Sequence, residues 1–267
     1  MTQVFVEQTT TQLLGGKHAL VTGGAHGIGA AVTQILLAHG ARVTMLGRNE
    51  DLLEEAVRKF SPLGEIGTAA ADITEPKAIA QAFATARQCF GGIEILVNNA
   101  GEASSAPFLK TDLELWRRMM AVNLDGTFHC IQASLPGMLS AGWGRIINMA
   151  SIAGLVGGSY ISAYCAAKHG VIGLTRALAV EVAAKGITVN AVCPGYTEGD
   201  MFEKAVTNIV AKTGRTPEAA RAELLARNPQ KRLVQPMEAA NAVAWLCLPG
   251  SDAVTGQAIT VAGGEVM

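Results

Sequence analysis

Tyr164 and Lys168 stand four residues apart in a stretch of helical periodicity, so both side chains share one face and the ammonium can approach the phenol. A phenol titrates near about 10 and carries protons poorly at neutral pH, whereas a neighbouring cation stabilises the phenolate and moves the group toward a useful range. The same spacing also arises where a buried aromatic merely precedes a solvated lysine, so its meaning depends on context. Ser151 supplies that context. It lies thirteen residues before Tyr164 and just beyond a strand-like run at 145–149, at the carboxyl edge where open α/β sheets bind ligands. Three groups could converge there, and the chemistry they offer is proton transfer. The connecting stretch 153–158 is apolar and glycine-rich; it either lines a substrate pocket or only turns the chain. Asn123 interrupts an apolar stripe of Trp116, Met120, Thr127, Phe128 and Ile131. A buried amide needs partners, so it bonds a backbone carbonyl in the core, a role compatible with positioning water near the site.

A second constellation points to an anionic ligand. The run Thr22-Gly23-Gly24-Ala25-His26-Gly27-Ile28-Gly29 joins a strand to a helix, with glycines where the chain must turn sharply and let a pyrophosphate approach backbone N–H groups. This spacing differs from the common G-x-G-x-x-G fingerprint, and glycines alone often mark only a tight turn. The next strand ends in Leu46-Gly47-Arg48-Asn49, where a dinucleotide fold usually places an acid on the adenosine ribose. Here Gly47 and Arg48 leave room and a cation for a 2′-phosphate, which favours NADP(H), with NAD(H) as the alternative. Arg48 would otherwise be a solvent-facing loop arginine. His26 would add a hydrogen bond to that phosphate or simply cap the helix.

These groups must be positioned by a scaffold, and the sequence alternates short Val/Ile-rich runs with longer segments of helical period. Strands are expected at 18–22, 42–46, 67–71, 95–98, 145–149, 188–193 and 258–261, and helices at 28–39, 50–60, 76–90, 113–140, 163–185 and 237–248. The fold class is therefore α/β, a single-domain Rossmann-type doubly wound parallel sheet of about seven strands with helices on both faces. Gly40 and Gly186 provide left-handed stops for two helices, and Pro76 suits a first turn. Residues 1–16 form an N-terminal tail and 17–267 one dinucleotide-binding and catalytic domain. Its long polar stretch 195–235, broken by Pro217 and Pro229, is expected to be a mostly irregular substrate lid with a short helix near 218–227.

The chain has 267 residues, 49% of them apolar and 16% charged, with a formal net charge of −1. It can bury a large core, and it offers no basic stripe to nucleic acid or anionic lipid, so a small-molecule partner is expected and neither nucleic acid nor membrane. No basic, apolar leader opens the sequence and no run suffices to span a bilayer. Cys89, Cys130, Cys165, Cys193 and Cys247 are scattered and odd in number, without the short pairings of metal or redox motifs. Free thiols in a reducing cytoplasm, and no metal, are the expectation.

Taken together these residues resemble the short-chain dehydrogenase/reductase family, in its members with T-G-x-x-x-G-x-G and Y-x-x-x-K motifs. The match spans nearly the whole chain and includes Asp72-Ile73, Asn98-Asn99-Ala100-Gly101, Asn123, Ser151, Asn190, Pro194-Gly195 and Thr255-Gly256-Gln257. The resemblance implies that Asp72 and Ile73 meet the adenine and that Asn99, Ala100 and Gly101 run beside the cofactor, with Pro194 and Gly195 in the matching motif. It further implies that Tyr164 is the proton donor or acceptor, Lys168 also holds ribose hydroxyls, Ser151 bonds the substrate oxygen, and Asn123 supports a water in a proton relay. A homotetramer is implied, with the helices starting near Leu113 and Ala163 as interfaces. Two positions depart from the family pattern: Gly199 stands where a carboxamide-binding Thr is frequent, so Thr197 is expected to take over, and Ala262 replaces a frequent acid.

The expected reaction interconverts a ketone and a secondary alcohol. The stretch from Gly195 through Arg227-Asn228-Pro229-Gln230-Lys231-Arg232 looks like ketoreductases acting on 3-oxoacyl thioesters, and Lys204, Arg215, Arg221, Lys231 or Arg232 could meet pantetheine-linked phosphates, if these charges do not merely solubilise a loop. The alternatives are dehydrogenation of a sugar, steroid or cyclic alcohol, and a weakly catalytic dinucleotide-binding sensor.

Overall fold

Strands covered by helices on both sides need no polar face, and the aliphatic runs of this chain have none. In the computed structural model, which describes residues 12–267, the strands are β1 (His18–Thr22), β2 (Arg42–Gly47), β3 (Ile66–Ala70), β4 (Ile95–Asn98), β5 (Gly144–Met149), β6 (Ile187–Pro194) and β7 (Ala258–Val261). The helices are α1 (Gly27–Ala38), α2 (Glu50–Phe60), α3 (Pro76–Phe90), α4 (Leu113–Met120), α5 (Gly126–Ala141), α6 (Ser162–Val182), α7 (Asp200–Thr213), α8 (Pro217–Leu225) and α9 (Pro236–Cys247). The strands form one seven-stranded parallel sheet in the order β3-β2-β1-β4-β5-β6-β7. This is the doubly wound class expected from the alternation of elements. Its order reverses between β1 and β4, and that reversal opens a crevice at the carboxyl ends of the strands.

On one face Val32, Leu36, Leu53, Ala56 and Val243 of α1, α2 and α9 pack on Val21, Val43 and Ile147. On the other, Phe83, Ile131, Met138 and Leu178 of α3, α5 and α6 pack on Leu20, Leu96 and Ile146. A polar thread crosses this second layer: Asn98 Nδ2 donates to Asn148 Oδ1 at 2.9 Å, and Asn148 Nδ2 donates to Thr175 Oγ1 on α6 at 2.9 Å. Asn190 on β6 accepts from Gln257 N at 3.0 Å and donates to Val254 O at 2.7 Å, fastening the strand to the segment that leads into β7. Gly40 and Gly186 take φ of 84° and 72°, the left-handed stops expected from their places after two helices.

Three regions differ from expectation. The helix expected over 113–140 is two helices, because residues Ala121–Asp125 form a π-helical turn. Asn123 inside this turn donates to Met119 O, four residues back, at 3.0 Å and to Glu102 O at 2.9 Å, so a side-chain amide competes with the backbone ladder. The stretch 195–235 is largely helical rather than irregular. Phe202 and Val206 of α7 close over Ala220 of α8, with Tyr196 and Leu233 against them, which gives the segment a small core of its own. Of the tail expected at 1–16, residues 1–11 lie outside the described residues; Leu14 is buried in the core beneath α1 and donates its N–H to His39 O at 2.9 Å.

Candidate active site

The catalytic candidates are set by one strand and one helix. β5 ends at Met149, and Ser151 follows in extended backbone as the cap of a short 3-10 turn, Ile152–Gly154. Ser151 Oγ accepts from Ala153 N at 3.1 Å, so its hydroxyl proton is left to donate elsewhere. A side chain at Gly154 would begin 2.7 Å from Lys168 O, so the glycine lets this turn press against α6. That contact gives the 153–158 stretch a packing reason for glycine.

On α6, Lys168 is buried and its Nζ donates to Met149 O at 2.8 Å, while lying 5.7 Å from the centre of the Tyr164 ring. Burial draws the Lys168 ammonium down to about 8, whereas burial pushes the Tyr164 phenol up to about 12, with the adjacent Ser151 hydroxyl offsetting part of that rise. Spacing alone predicts that the lysine lowers the phenol. In the protein alone desolvation outweighs that effect, and the phenol is held as a protonated acid across the neutral range.

Asn123 is buried and both its amide protons are engaged; its Oδ1 accepts from Glu102 N at 3.2 Å and keeps a second acceptor site. A side chain on Gly101 would begin 2.9 Å from Asn123 Oδ1 and 3.5 Å from Lys168 Nζ, so Gly101 is the spacer between amide and ammonium. The structure thus brings Asn123, Gly101, Lys168, Tyr164 and Ser151 to one end of the sheet.

The glycine turn is locked from the neighbouring strand. Thr22 Oγ1 accepts from both Asn99 N and Ala100 N at 2.9 Å, and Asn99 Nδ2 donates to Thr22 O at 3.0 Å. Gly23 and Gly27 take φ of 64° and 54°, and a side chain on Gly29 would collide with Gly23 O. Packing demands glycine at 29, and the left-handed backbone favours it at 23 and 27; the close-packed turn leads into the amino end of α1, where backbone donors and the helix dipole favour an anion. The cradle fits a pyrophosphate. His26 is exposed and makes no side-chain capping bond, while Ile28 is half-buried beside it.

Arg48 is largely exposed after β2, and its guanidinium lies 3.5 Å from Asp72 Oδ2. Burial would raise the Asp72 carboxyl, but hydrogen bonds from Thr74 N and Oγ1, together with Arg48, hold it below its usual value. Ile73 is buried, its Cδ1 filling the space above Gly126. Pro194 ends β6; Gly195 sits against Ala262, whose Cβ would be 3.1 Å from a side chain there. Thr197 Oγ1 donates to Gly195 O at 3.0 Å, and Gly199, with φ of 140°, begins α7 without a side-chain cap.

Two residues beside this cleft were not singled out by sequence. Tyr196 and Glu265 neighbour Gly195, and Tyr196 is close enough to Tyr164 to raise its phenol further. No spacing in the chain relates them; only the pairing of β6 with β7 does. Most of the cations considered for a phosphate in the 195–235 stretch already have partners. Arg215 pairs with Glu223, Arg221 with Glu203, and Arg232 with Glu238 at 2.7 Å, while Lys231 donates to Ala226 O at 2.6 Å. Of the five cations considered for a phosphate, Lys204 alone makes no such contact among the described residues.

The family described as short chain dehydrogenase matches residues 17–209 of this chain. D-beta-hydroxybutyrate dehydrogenase of Rhizobium meliloti (strain 1021) is 37% identical, over 93% of this chain and 98% of that protein. The 3-oxoacyl-[acyl-carrier-protein] reductase FabG of Vibrio cholerae serotype O1 is 38% identical, over 95% of this chain and 99% of its own length. Among solved structures, a single-substitution variant of actinorhodin polyketide ketoreductase with NADPH superposes with a TM-score of 0.90 at 37% identity, covering 93% of this chain and 97% of that one.

Proposed function

Because the chain belongs to the short chain dehydrogenase family, we propose that it is an NADP(H)-dependent ketoreductase that interconverts a 3-oxoacyl thioester and its 3-hydroxy form. The observation that carries the oxidoreductase reading is the placement of Ser151, Tyr164 and Lys168 around the carboxyl end of β5, next to a glycine turn shaped for a pyrophosphate. When bound, the nicotinamide dinucleotide supplies or accepts the hydride. The chain's own residues handle the proton and the charge on oxygen. Ser151 donates to the substrate oxygen, Tyr164 gives that oxygen its proton in the reductive direction, and Lys168 stabilises the phenolate that results. Asn123 fixes Glu102 and the π turn close to Lys168 and positions the water that returns the proton.

NADP(H) is preferred on the strength of Gly47 and Arg48, which leave no acid at the end of β2 and present an exposed guanidinium beside Asp72. Gly23, His26, Gly27, Ile28, Gly29, Arg48, Asp72, Ile73, Asn99, Ala100, Gly101, Pro194, Gly195 and Thr197 would hold the dinucleotide, with Tyr164 and Lys168 reaching its ribose. The thioester reading draws on the likeness to the Vibrio cholerae reductase and the polyketide ketoreductase. Ion pairs engage three of the seven cations of the 195–235 segment, Arg215, Arg221 and Arg232, which weakens its hold on a pantetheine phosphate and shifts recognition toward the acyl end of the substrate. The lid is residues 195–235, resting on the core formed by α7 and α8.

Exposed Leu113, Trp116 and Phe128 on the α4 and α5 helices and Val180 on α6 support a homotetramer closed through those helices. Five free thiols support a cytoplasmic location. NADPH oxidation with acetoacetyl-CoA, set against free cyclic ketones, sugars and steroids, tests the assignment. A kcat/KM for acetoacetyl-CoA below that of every free ketone would refute the thioester reading.

A further inference from the structure

Glu265 follows β7 in a turn whose backbone N donates to Ala262 O at 3.1 Å. Its Oε2 is buried and has no hydrogen-bond partner among the described residues. This oxygen lies 3.7 Å from where a side chain on Gly195 would begin, at the end of β6, and its charge acts on Tyr196, which in turn neighbours Tyr164. Arg227 is exposed and influences Glu265 and Tyr196 from the end of the lid, but forms no ion pair with Glu265 among the described residues. A buried carboxylate oxygen without a donor, beside the cleft, attracts a hydrogen-bond donor and repels negative charge.

We propose that Glu265 filters substrates by charge, disfavouring carbonyl compounds that carry a carboxylate near the reacting carbon relative to neutral ones. The inference rests on the ketone-reducing reading of the cleft and not on the thioester reading. Glu265 and Arg227 pull in opposite directions on an anionic substrate. The arginine is exposed, so water screens it, whereas the glutamate is half-buried with Oε2 out of water, so its charge is screened less and outweighs the arginine in the cleft. A thioester or ester satisfies this filter and a free 3-oxo acid does not.

The test compares kcat/KM for methyl acetoacetate with acetoacetate, and for methyl 4-oxocyclohexanecarboxylate with its acid, in wild type, Glu265→Gln and Arg227→Ala. The ester-to-acid ratio should fall on the order of tenfold in Glu265→Gln and rise in Arg227→Ala, since the two changes remove opposite charges. Arg227 is on the surface, so its variant reports the sign even where Glu265→Gln folds poorly. A ratio within threefold of wild type in Glu265→Gln, or one that moves the same way in both variants, overturns the filter. A shifted ratio on the cyclic pair, alongside no reduction of acetoacetyl-CoA, removes the thioester reading and leaves the filter standing.

Discussion

Gly47→Asp should convert the cofactor preference from NADPH to NADH. The position accepts a side chain: a Cβ there would touch only Leu53, at 3.6–4.0 Å, which is ordinary contact. The backbone bond from Ala71 N to Gly47 O, 2.9 Å long, is untouched, so unfolding free energy should change by less than about 1 kcal/mol. The new carboxylate competes with Asp72, now 3.5 Å away, for the Arg48 guanidinium. It also repels a 2′-phosphate carrying nearly two charges, for about 2 kcal/mol at an effective dielectric of about 50, between a protein surface and bulk water, and a separation on the order of 6 Å. A hydrogen bond to free ribose hydroxyls adds about 1 kcal/mol in favour of NADH. The sum, about 3 kcal/mol, is on the order of a 100-fold change in preference. Fluorescence titration of NADPH and NADH gives the ratio of Kd values without turnover, and the ratio of kcat/KM provides an independent reading. A folded variant whose Kd ratio stays within threefold of wild type would show that Arg48 and the gap beside it do not read the 2′ position.

Tyr164→Phe should retain NADPH binding and lose about 10²–10⁴-fold in kcat, and an active variant would remove the tyrosine as the acid. Lys168→Met should lose activity yet gain about 2 kcal/mol of stability against unfolding at pH 7: burial lowers the ammonium from 10.5 to about 8, and the lost bond to Met149 O returns part of that difference. Because the unfolded chain binds the proton more tightly, wild type should recover relative to this variant as pH rises from about 8 to 10.5 in chemical denaturation, and a parallel pair of curves would contradict the cause. Asn123→Ala strands Glu102 N, Glu102 O and Met119 O, and should cost about 2–3 kcal/mol by urea midpoint as well as activity. His18, drawn below 6.5 by burial, should make the protein less stable as pH falls through that value; His18→Asn should flatten the slope between pH 7 and 5.

Much of the sheet was legible in sequence because strands buried on both faces leave short runs dominated by aliphatic residues; β1, β4 and β7 fall on the expected residues. The π turn was not legible. The apolar stripe resumes at helical spacing beyond Asn123, and the widening depends on Glu102, which is distant in sequence. Helix α7 hid behind its charges, although Phe202, Val206 and Ile209 already carried helical spacing. At the site, Ser151, Tyr164 and Lys168 follow from one strand end and one helix face, so their proximity could be argued from periodicity. Glu265 and Tyr196 meet only through the β6–β7 pairing, and the ion pairing of the lid arginines follows from how α7 packs on α8.

Aliphatic contacts alone would let a helix slide on a sheet at modest energetic penalty. The chain of amides from Asn98 through Asn148 to Thr175 forbids that motion for α6. An axial shift by one residue, about 1.5 Å, would sever this clasp and orphan buried polar groups two turns away from Lys168. The phase of the reacting pair is therefore indexed against two strands at the floor of the cleft, beneath its mouth. Mouth residues can diversify, and with them the molecules admitted, while the alignment needed to pass a proton stays constant.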